Sequence, residues 1–218
     1  MEHDACGVGL VASTEGIKSR KVVEYGIDAL KAVWHRGAID ADGKTGDGAG
    51  IHIEIPKDFF EEKIEVTGHK HDNSELCVGM IFLPRNDYSA QEQCRTIVES
   101  ELTKRNFSIY GWRQVPVDPS VLGEKAEQTR PEITQVLFTY NDKKVVNKSL
   151  EQKLYETRRV IEKEALNNQL NNFYICSFSS KSIIYKGMFL AEALSDFYTD
   201  LKDERFISRY AIFHQRFS

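Results

Sequence analysis

The chain has 218 residues, 41% of them hydrophobic and 28% charged, with a formal net charge of −4. That length supports one sizeable core or two small ones, and the composition is ordinary for a soluble globular protein. No clustered basic face of the kind that binds nucleic acid is encoded. The longest apolar runs, such as 78–83, fall far short of the ~20 residues that cross a bilayer, and the N-terminus lacks the basic and apolar segments of a secretory signal. The four cysteines, Cys6, Cys77, Cys94 and Cys176, form no CxxC pair, which removes zinc-ribbon and dithiol redox readings. Cys77, Cys94 and Cys176 are expected as reduced, partly buried thiols in a cytoplasmic protein.

In chain order, residues 7–12 read as a strand buried on both faces. Residues 19–34 place Val22, Val23, Tyr25, Gly26, Ile27, Leu30 and Val33 at helical spacing. A glycine-dense loop follows at 43–50, then a strand to Ile55 that Pro56 stops. A polar turn at 67–74 leads to a strand at 75–83. Next come a helix at 89–106, with Cys94, Ile97, Val98 and Leu102 on its apolar side, and strands at 107–115 and 133–140. The strongest helical pattern is 147–167, with Leu150, Leu154, Val160, Ile161 and Leu166 turned inward and Glu and Lys outside. Residues 173–179 and 182–186 read as a hairpin about Ser180-Lys181, followed by a helix at 191–201 and a strand at 210–213. Strands are expected to pair mostly with sequence neighbours, in an α+β architecture of two sheets between helical layers. The end at Ser218, directly after a strand-like run, reads as that of an incomplete domain.

Two short patterns imitate known sites and fail on spacing. Residues 37–45 carry five residues between Gly37 and Gly43, where a phosphate loop has four. As a calcium loop, they would place Lys44 at the fifth ligand position and Ile51 where a bidentate Glu belongs. A solvated turn is the expectation. His69 and His71 sit in the polar turn without a third metal ligand, so an exposed loop is expected there. His214 reads as a hydrogen-bonded packing residue.

The remaining chemical feature is Asp4-Ala5-Cys6-Gly7-Val8-Gly9. If residues 1–5 are removed, the α-amine of Cys6 lies beside its own thiol. An α-amine titrates near 7.7–8.0 and can act as a general base, and a thiol of pKa about 8.5 is the readiest nucleophile among side chains. The competing reading is a buried structural cysteine opening a strand.

Four segments together decide in favour of a family. Residues 4–9, His35-Arg36-Gly37-Ala38 with Thr45-Gly46-Asp47-Gly48-Ala49-Gly50 and 55–60, Gly111 to Asp118, and Tyr185-Lys186-Gly187-Met188 with Phe213-His214-Gln215-Arg216-Phe217-Ser218 resemble, in order and spacing, the class-II glutamine amidotransferase domain of glutamate synthase large subunits. The resemblance covers essentially the whole chain. It implies an N-terminal-nucleophile hydrolase fold, an αββα sandwich, here incomplete, with 1–5 as a propeptide-like leader and 6–218 as a partial amidotransferase domain. It implies Cys6 as the nucleophile and Arg216 as the residue holding the glutamine α-carboxylate. Arg36 would stand near the nucleophile on the substrate side, steadying the thiolate or its strand, and Gly46 and Asp47 would lie on a supporting loop. The Asn-Gly oxyanion pair and the Asp that binds the substrate amine are not found up to Ser218, so this segment alone is expected to be nearly inactive. No metal is implied here. FMN and an iron–sulfur cluster are implied for the complete protein, with glutamine, the downstream synthase domains and a small NADPH-oxidising subunit as partners. A stand-alone amidotransferase subunit for another synthase is at odds with the 111–118 stretch, and a non-catalytic partner-binding domain would retain Met1.

Overall fold

The computed structural model describes residues 7–71, 74–142, 144–145 and 148–216, with the side chain of Arg36 outside that description. The chain divides into two compact units, one formed by Met1–Pro56, Pro116–Arg130 and Ile184–Ser218, the other by Lys57–Val115 and Pro131–Ile183. Two four-stranded sheets and interspersed helices make the α+β class plain. Among the described residues no helix is long and apolar enough to cross a membrane.

The first sheet has the order β1-β8-β2-β7, with β1 Gly7–Ala12, β2 Ala49–Glu54, β7 Ser182–Gly187 and β8 Tyr210–Gln215. Strand β8 is antiparallel to both β1 and β2, and Gln215 stands opposite Gly7 on one side and Ala49 on the other. Helix α1 (Arg20–Ala32) is capped by the Ser19 hydroxyl, which accepts from the Val22 amide at 3.4 Å, satisfying one of the free donors of a helix start. It buries Val22, Val23, Gly26, Ile27 and Leu30. Gly26 is required there, because a Cβ would come within 2.5 Å of the Ala211 methyl on β8. At the far end of β8, Glu54 takes hydrogen bonds from the Arg209 amide (2.7 Å) and guanidinium (2.6 Å), and its own amide donates to Ser208 Oγ at 3.1 Å. A buried carboxylate is tolerated when it is paired and bonded in this way.

The second sheet has the order β4-β5-β3-β6, with β3 Leu76–Leu83, β4 Phe107–Gln114, β5 Glu132–Tyr140 and β6 Tyr174–Ser179. Helices α3 (Tyr88–Lys104) and α5 (Lys148–Asn167) share a core with it, built on Ile81, Val98, Phe138, Leu154 and Ile175. Cys77, Cys94 and Cys176 are buried in this unit and form no disulfide among the described residues, and burial pushes Cys77 well up and Cys94 up to about 11. Cys77 and Cys94 are therefore neutral packing residues rather than nucleophiles.

Several expectations are corrected. Strand β1 is not buried on both faces: Val8 and Leu10 are 69% and 63% exposed, because β1 is an edge strand with alternating burial. Among the described residues only β4 and β5 pair as sequence neighbours. The 173–186 hairpin does not form, since β6 and β7 belong to different sheets. At that bend Glu151 accepts from Ser179 Oγ (2.9 Å) and from the amide and hydroxyl of Ser180 (2.8 Å each), replacing cross-strand partners. On α5 the buried face is Leu150, Leu154, Thr157, Ile161 and Ala165, while Leu166 is exposed. Tyr25 of α1 is likewise exposed. Helices α2 (Lys57–Val66) and α4 (Glu124–Thr129) were not read from the sequence, and 191–201 breaks into short 3-10 and α turns. His71 is not an exposed loop residue: its side chain is 8% exposed and its Nδ1 lies 3.2 Å from Glu61.

Replacing Glu151 by Ala leaves three donors at the 179–180 bend without their acceptor. We expect a loss of roughly 1–3 kcal/mol, read as a lower urea midpoint, whereas Glu151→Gln, which retains one carbonyl acceptor, loses less.

Candidate active site

The expected site residues that the structure describes converge at one end of the first sheet. Register carries this: Gly7, at the start of β1, faces Gln215, and one residue further the Arg216 amide donates to the Gly48 carbonyl at 2.6 Å. Arg216 has a φ of 86° and Gly48 a φ of 114°. A non-glycine residue in the left-handed region is strained and persists where its surroundings hold it. Here the holding group is Asp47, whose Oδ2 lies 3.0 Å from Arg216 Nε, with both side chains only partly exposed. Both carboxylate oxygens of Asp47 are buried and accept no aligned hydrogen bond from a described residue. Its charge is therefore balanced by proximity to the guanidinium rather than by a closed hydrogen-bond fork.

Loop 37–47 wraps this ion pair. Trp34–Arg36 forms a single 3-10 turn, closed by the Gly37 amide on the Trp34 carbonyl at 3.0 Å. A Cβ on Gly37 would stand 2.2 Å from Gln215 Nε2 and 3.3 Å from Asp47 Oδ1, so Gly37 is required by the buried Gln215 amide rather than by its backbone angles. The Asp47 amide returns to the Ala38 carbonyl at 3.3 Å. Gly46 lies against the Phe189 carbonyl, 2.8 Å from where its Cβ would be.

The turn between Ile39 and Gly46, a bridged pair, has the solvated tip expected, with residues 41–44 exposed, but its return arm is buried. Thr45 and Gly46 are buried, and Asp42 accepts from the Thr45 amide at 2.7 Å and from its hydroxyl at 2.5 Å. The Thr45 hydroxyl in turn accepts from the Ala126 amide of α4 at 3.3 Å, and Lys125 Nζ reaches Asp40 Oδ2 at 2.6 Å. The bonds that Asp42 accepts from the Thr45 hydroxyl first, and then from the Thr45 and Lys44 amides, hold its carboxyl well below the usual range. Beside Asp47, the loop, α4 and Met188 line a cleft of about 480 Å³. Gly123 and Lys125 were not singled out from the sequence, and Asp42 and Thr45 were not read as partners of each other. The Asp-x-x-Thr spacing is a recognisable turn signature, but α4 was the missing partner.

Two expected residues receive no geometry. Cys6 lies outside the described residues, as do Phe217 and Ser218, and of Arg36 only the backbone is described. Gly46, Asp47 and Arg216 are brought together.

Comparison with known proteins fits this arrangement. The family model of glutamine amidotransferases class-II matches residues 6–218. The chain belongs to the class-II glutamine amidotransferases. Its α+β fold of two antiparallel sheets with helices is that of an N-terminal-nucleophile hydrolase-like amidotransferase domain. The whole of this amidotransferase chain is 58% identical over 217 residues to the glutamate synthase (NADPH) large chain of Azospirillum brasilense. It is 38% identical over 218 residues to ferredoxin-dependent glutamate synthase 2 of Synechocystis sp., and 37% over 219 residues to the chloroplastic ferredoxin-dependent enzyme of Spinacia oleracea. The chain spans 14% of the length of the first two and 13% of the third.

His214 on β8 and His52 on β2 lie in the same sheet as the site. Burial pushes both imidazoles below their ordinary 6.5, and the Lys186 charge adds to the effect at His214. As pH falls, the unfolded chain takes up these protons first. Stability complete above about pH 7 is therefore lost as pH drops below about 6.5. The melting temperature should fall between about pH 7 and 5, and the His52→Gln, His214→Gln double variant should flatten that fall; an unchanged slope contradicts it.

Proposed function

We propose that this chain is the glutaminase part of a glutamate synthase, with Cys6 as nucleophile once residues 1–5 are released. The observation that carries the reading is the Arg216–Asp47 pair at 3.0 Å at the end of β8, in the same sheet end as Gly7, the residue bonded to Cys6. A guanidinium fork matches a carboxylate bidentately, so Arg216 takes the α-carboxylate of glutamine while Asp47 holds the arginine from behind. Gly46 and Asp47 serve as the supporting loop, and Arg36 stands on the nucleophile side. The neighbouring cleft of about 480 Å³ has the size of a small-molecule site.

The free α-amine of Cys6 takes the thiol proton as sulfur bonds to the glutamine side-chain carbonyl carbon. The tetrahedral intermediate collapses, the C–N bond breaks, and the protonated amine returns its proton to the departing nitrogen, which leaves as ammonia. Water then attacks the thioester, the amine again taking and returning a proton, and glutamate and the free thiol are released. While Met1–Ala5 remain attached, that nitrogen is an amide and cannot act as base. In the complete protein the ammonia passes to a synthase domain that aminates 2-oxoglutarate to a second glutamate, with reducing equivalents from a small NADPH-oxidising subunit or ferredoxin. FMN and iron–sulfur chemistry belong to that part of the reading. Among the described residues no three His, Cys, Asp or Glu side chains gather as metal ligands, and no step here runs through either group. The electron donors in the relatives' names, NADPH in one and ferredoxin in others, belong to those proteins.

In the complete protein, Cys6→Ala should abolish glutamine-dependent activity and spare activity with added ammonia; equal loss of both would overturn the assignment. N-terminal sequencing of active protein should begin at Cys6. Arg216→Lys, which keeps charge but loses the fork, should raise the KM for glutamine about tenfold or more while changing kcat less.

A further inference from the structure

The loop that presents Asp47 is fastened to α4 through the buried Thr45, which the exposed Asp42 holds by hydrogen bonds. Asp42 Oδ1 accepts from the amides of Lys44 (3.0 Å) and Thr45 (2.7 Å), and Oδ2 accepts from the Thr45 hydroxyl at 2.5 Å. Thr45 is 6% exposed, and its oxygen is at once a donor to Asp42 and the acceptor for the Ala126 amide. Gly123, the residue before α4, lies against the same group: a Cβ there would stand 2.3 Å from Asp42 Oδ2, 2.3 Å from Thr45 Oγ1 and 2.5 Å from the Thr45 amide nitrogen. Thr45 Oγ1 is held by two hydrogen bonds and the Thr45 nitrogen is backbone, so neither of these can yield cheaply, whatever the exposed Asp42 carboxylate does. On the outside of the turn, Lys125 reaches Asp40 at 2.6 Å; this pair is exposed and contributes little by itself.

From Thr45 the chain has only Gly46, pressed on the Phe189 carbonyl, before it reaches Asp47 and Gly48. These two are the residues that hold Arg216, one by its carboxylate and one by its carbonyl. A side chain at a left-handed φ of 86° keeps its aim only while those contacts do. Placement of Arg216 is thus linked through two residues to the Thr45 hydroxyl and, through it, to α4.

We propose that Thr45, Asp42 and Gly123 form a positioning latch that sets glutamine affinity, holding loop 38–47 on α4 so that Asp47 and Gly48 orient Arg216 toward the substrate carboxylate. The latch touches neither substrate nor reacting atoms, and it rests on the reading that Arg216 binds glutamine. Releasing it leaves the nucleophile in place and loosens the carboxylate clamp. The effect then falls on glutamine binding rather than on the chemistry of the thiol.

The test is steady-state kinetics of the complete protein with glutamine and, separately, with ammonia. Thr45→Val removes both roles of the hydroxyl at nearly constant volume, Thr45→Ser keeps them, and Gly123→Ala inserts the excluded Cβ. Thr45→Val should raise the glutamine KM about tenfold with kcat within about twofold, less than the roughly 10²-fold of a full 1 Å misplacement. Thr45→Ser should restore KM to within about twofold, Gly123→Ala should behave as Thr45→Val, and ammonia-dependent activity should be unchanged throughout. Should Gly123→Ala not fold, the Thr45 pair decides alone. A wild-type KM in Thr45→Val, or a Thr45→Ser variant as impaired as Thr45→Val, overturns the latch. The functional reading fails separately, if Cys6→Ala and Arg216→Lys leave glutamine-dependent activity untouched.

Discussion

Strand β8 is hydrogen-bonded along both edges, to β1 and to β2, and the site depends on that double pairing. A strand with two partners cannot slip by one residue without turning every side chain to the opposite face. Its entry is pinned by Glu54 with Arg209 and Ser208, and its middle by the close approach of Gly26 on α1 to Ala211. With the start and middle held, the exit is determined. Gln215 comes to lie between Gly7 and Ala49, and the next residue, Arg216, meets Gly48. Residues more than 160 positions apart in sequence become neighbours through one register.

The chemistry at this exit is economical. A buried carboxylate, Asp47, is tolerated because an arginine stands 3.0 Å away, and that arginine tolerates a left-handed backbone because the carboxylate and the Gly48 carbonyl hold it. Each group would be unfavourable alone: an unpaired buried charge costs several kcal/mol, and a strained backbone about 1–3. Together they present a guanidinium in one orientation. Such paired strain is a feature of sites that must be rigid before the ligand arrives.

Glycines at 37, 46 and 123 serve a common end. Each allows backbone or a polar side chain to approach closer than any Cβ would permit, drawing loop 37–47 against Gln215 on one side, the Phe189 carbonyl on another and α4 on a third. Read linearly, the loop was only glycine-dense and acidic. It imitated a phosphate loop and a calcium loop and matched neither, whereas Asp42 in fact serves the turn itself and Asp47 the arginine.

The sequence by itself determined the α+β class, the strands, the three long helices α1, α3 and α5, and the family. Periodicity and turn residues are local properties, and the segments from Cys6 to Arg216 are distinctive in combination. It also placed Gly46, Asp47 and Arg216 in one site by resemblance. What it could not determine was anything resting on pairing between distant segments. The 173–186 stretch looked like a hairpin because strand propensity and a Ser-Lys turn are local, yet Glu151 from another element takes over the bend. Strand β1 looked buried because its residues are apolar, yet its exposure is set by its place at a sheet edge. Helix α4 is six residues long, too short for a hydrophobic period to show, and its value lies in what it grips. Only the tertiary structure decided that Gly123 and α4 meet the Asp42–Thr45 turn, because hydrogen bonding and excluded volume between distant segments act through space and leave no mark in the order of residues.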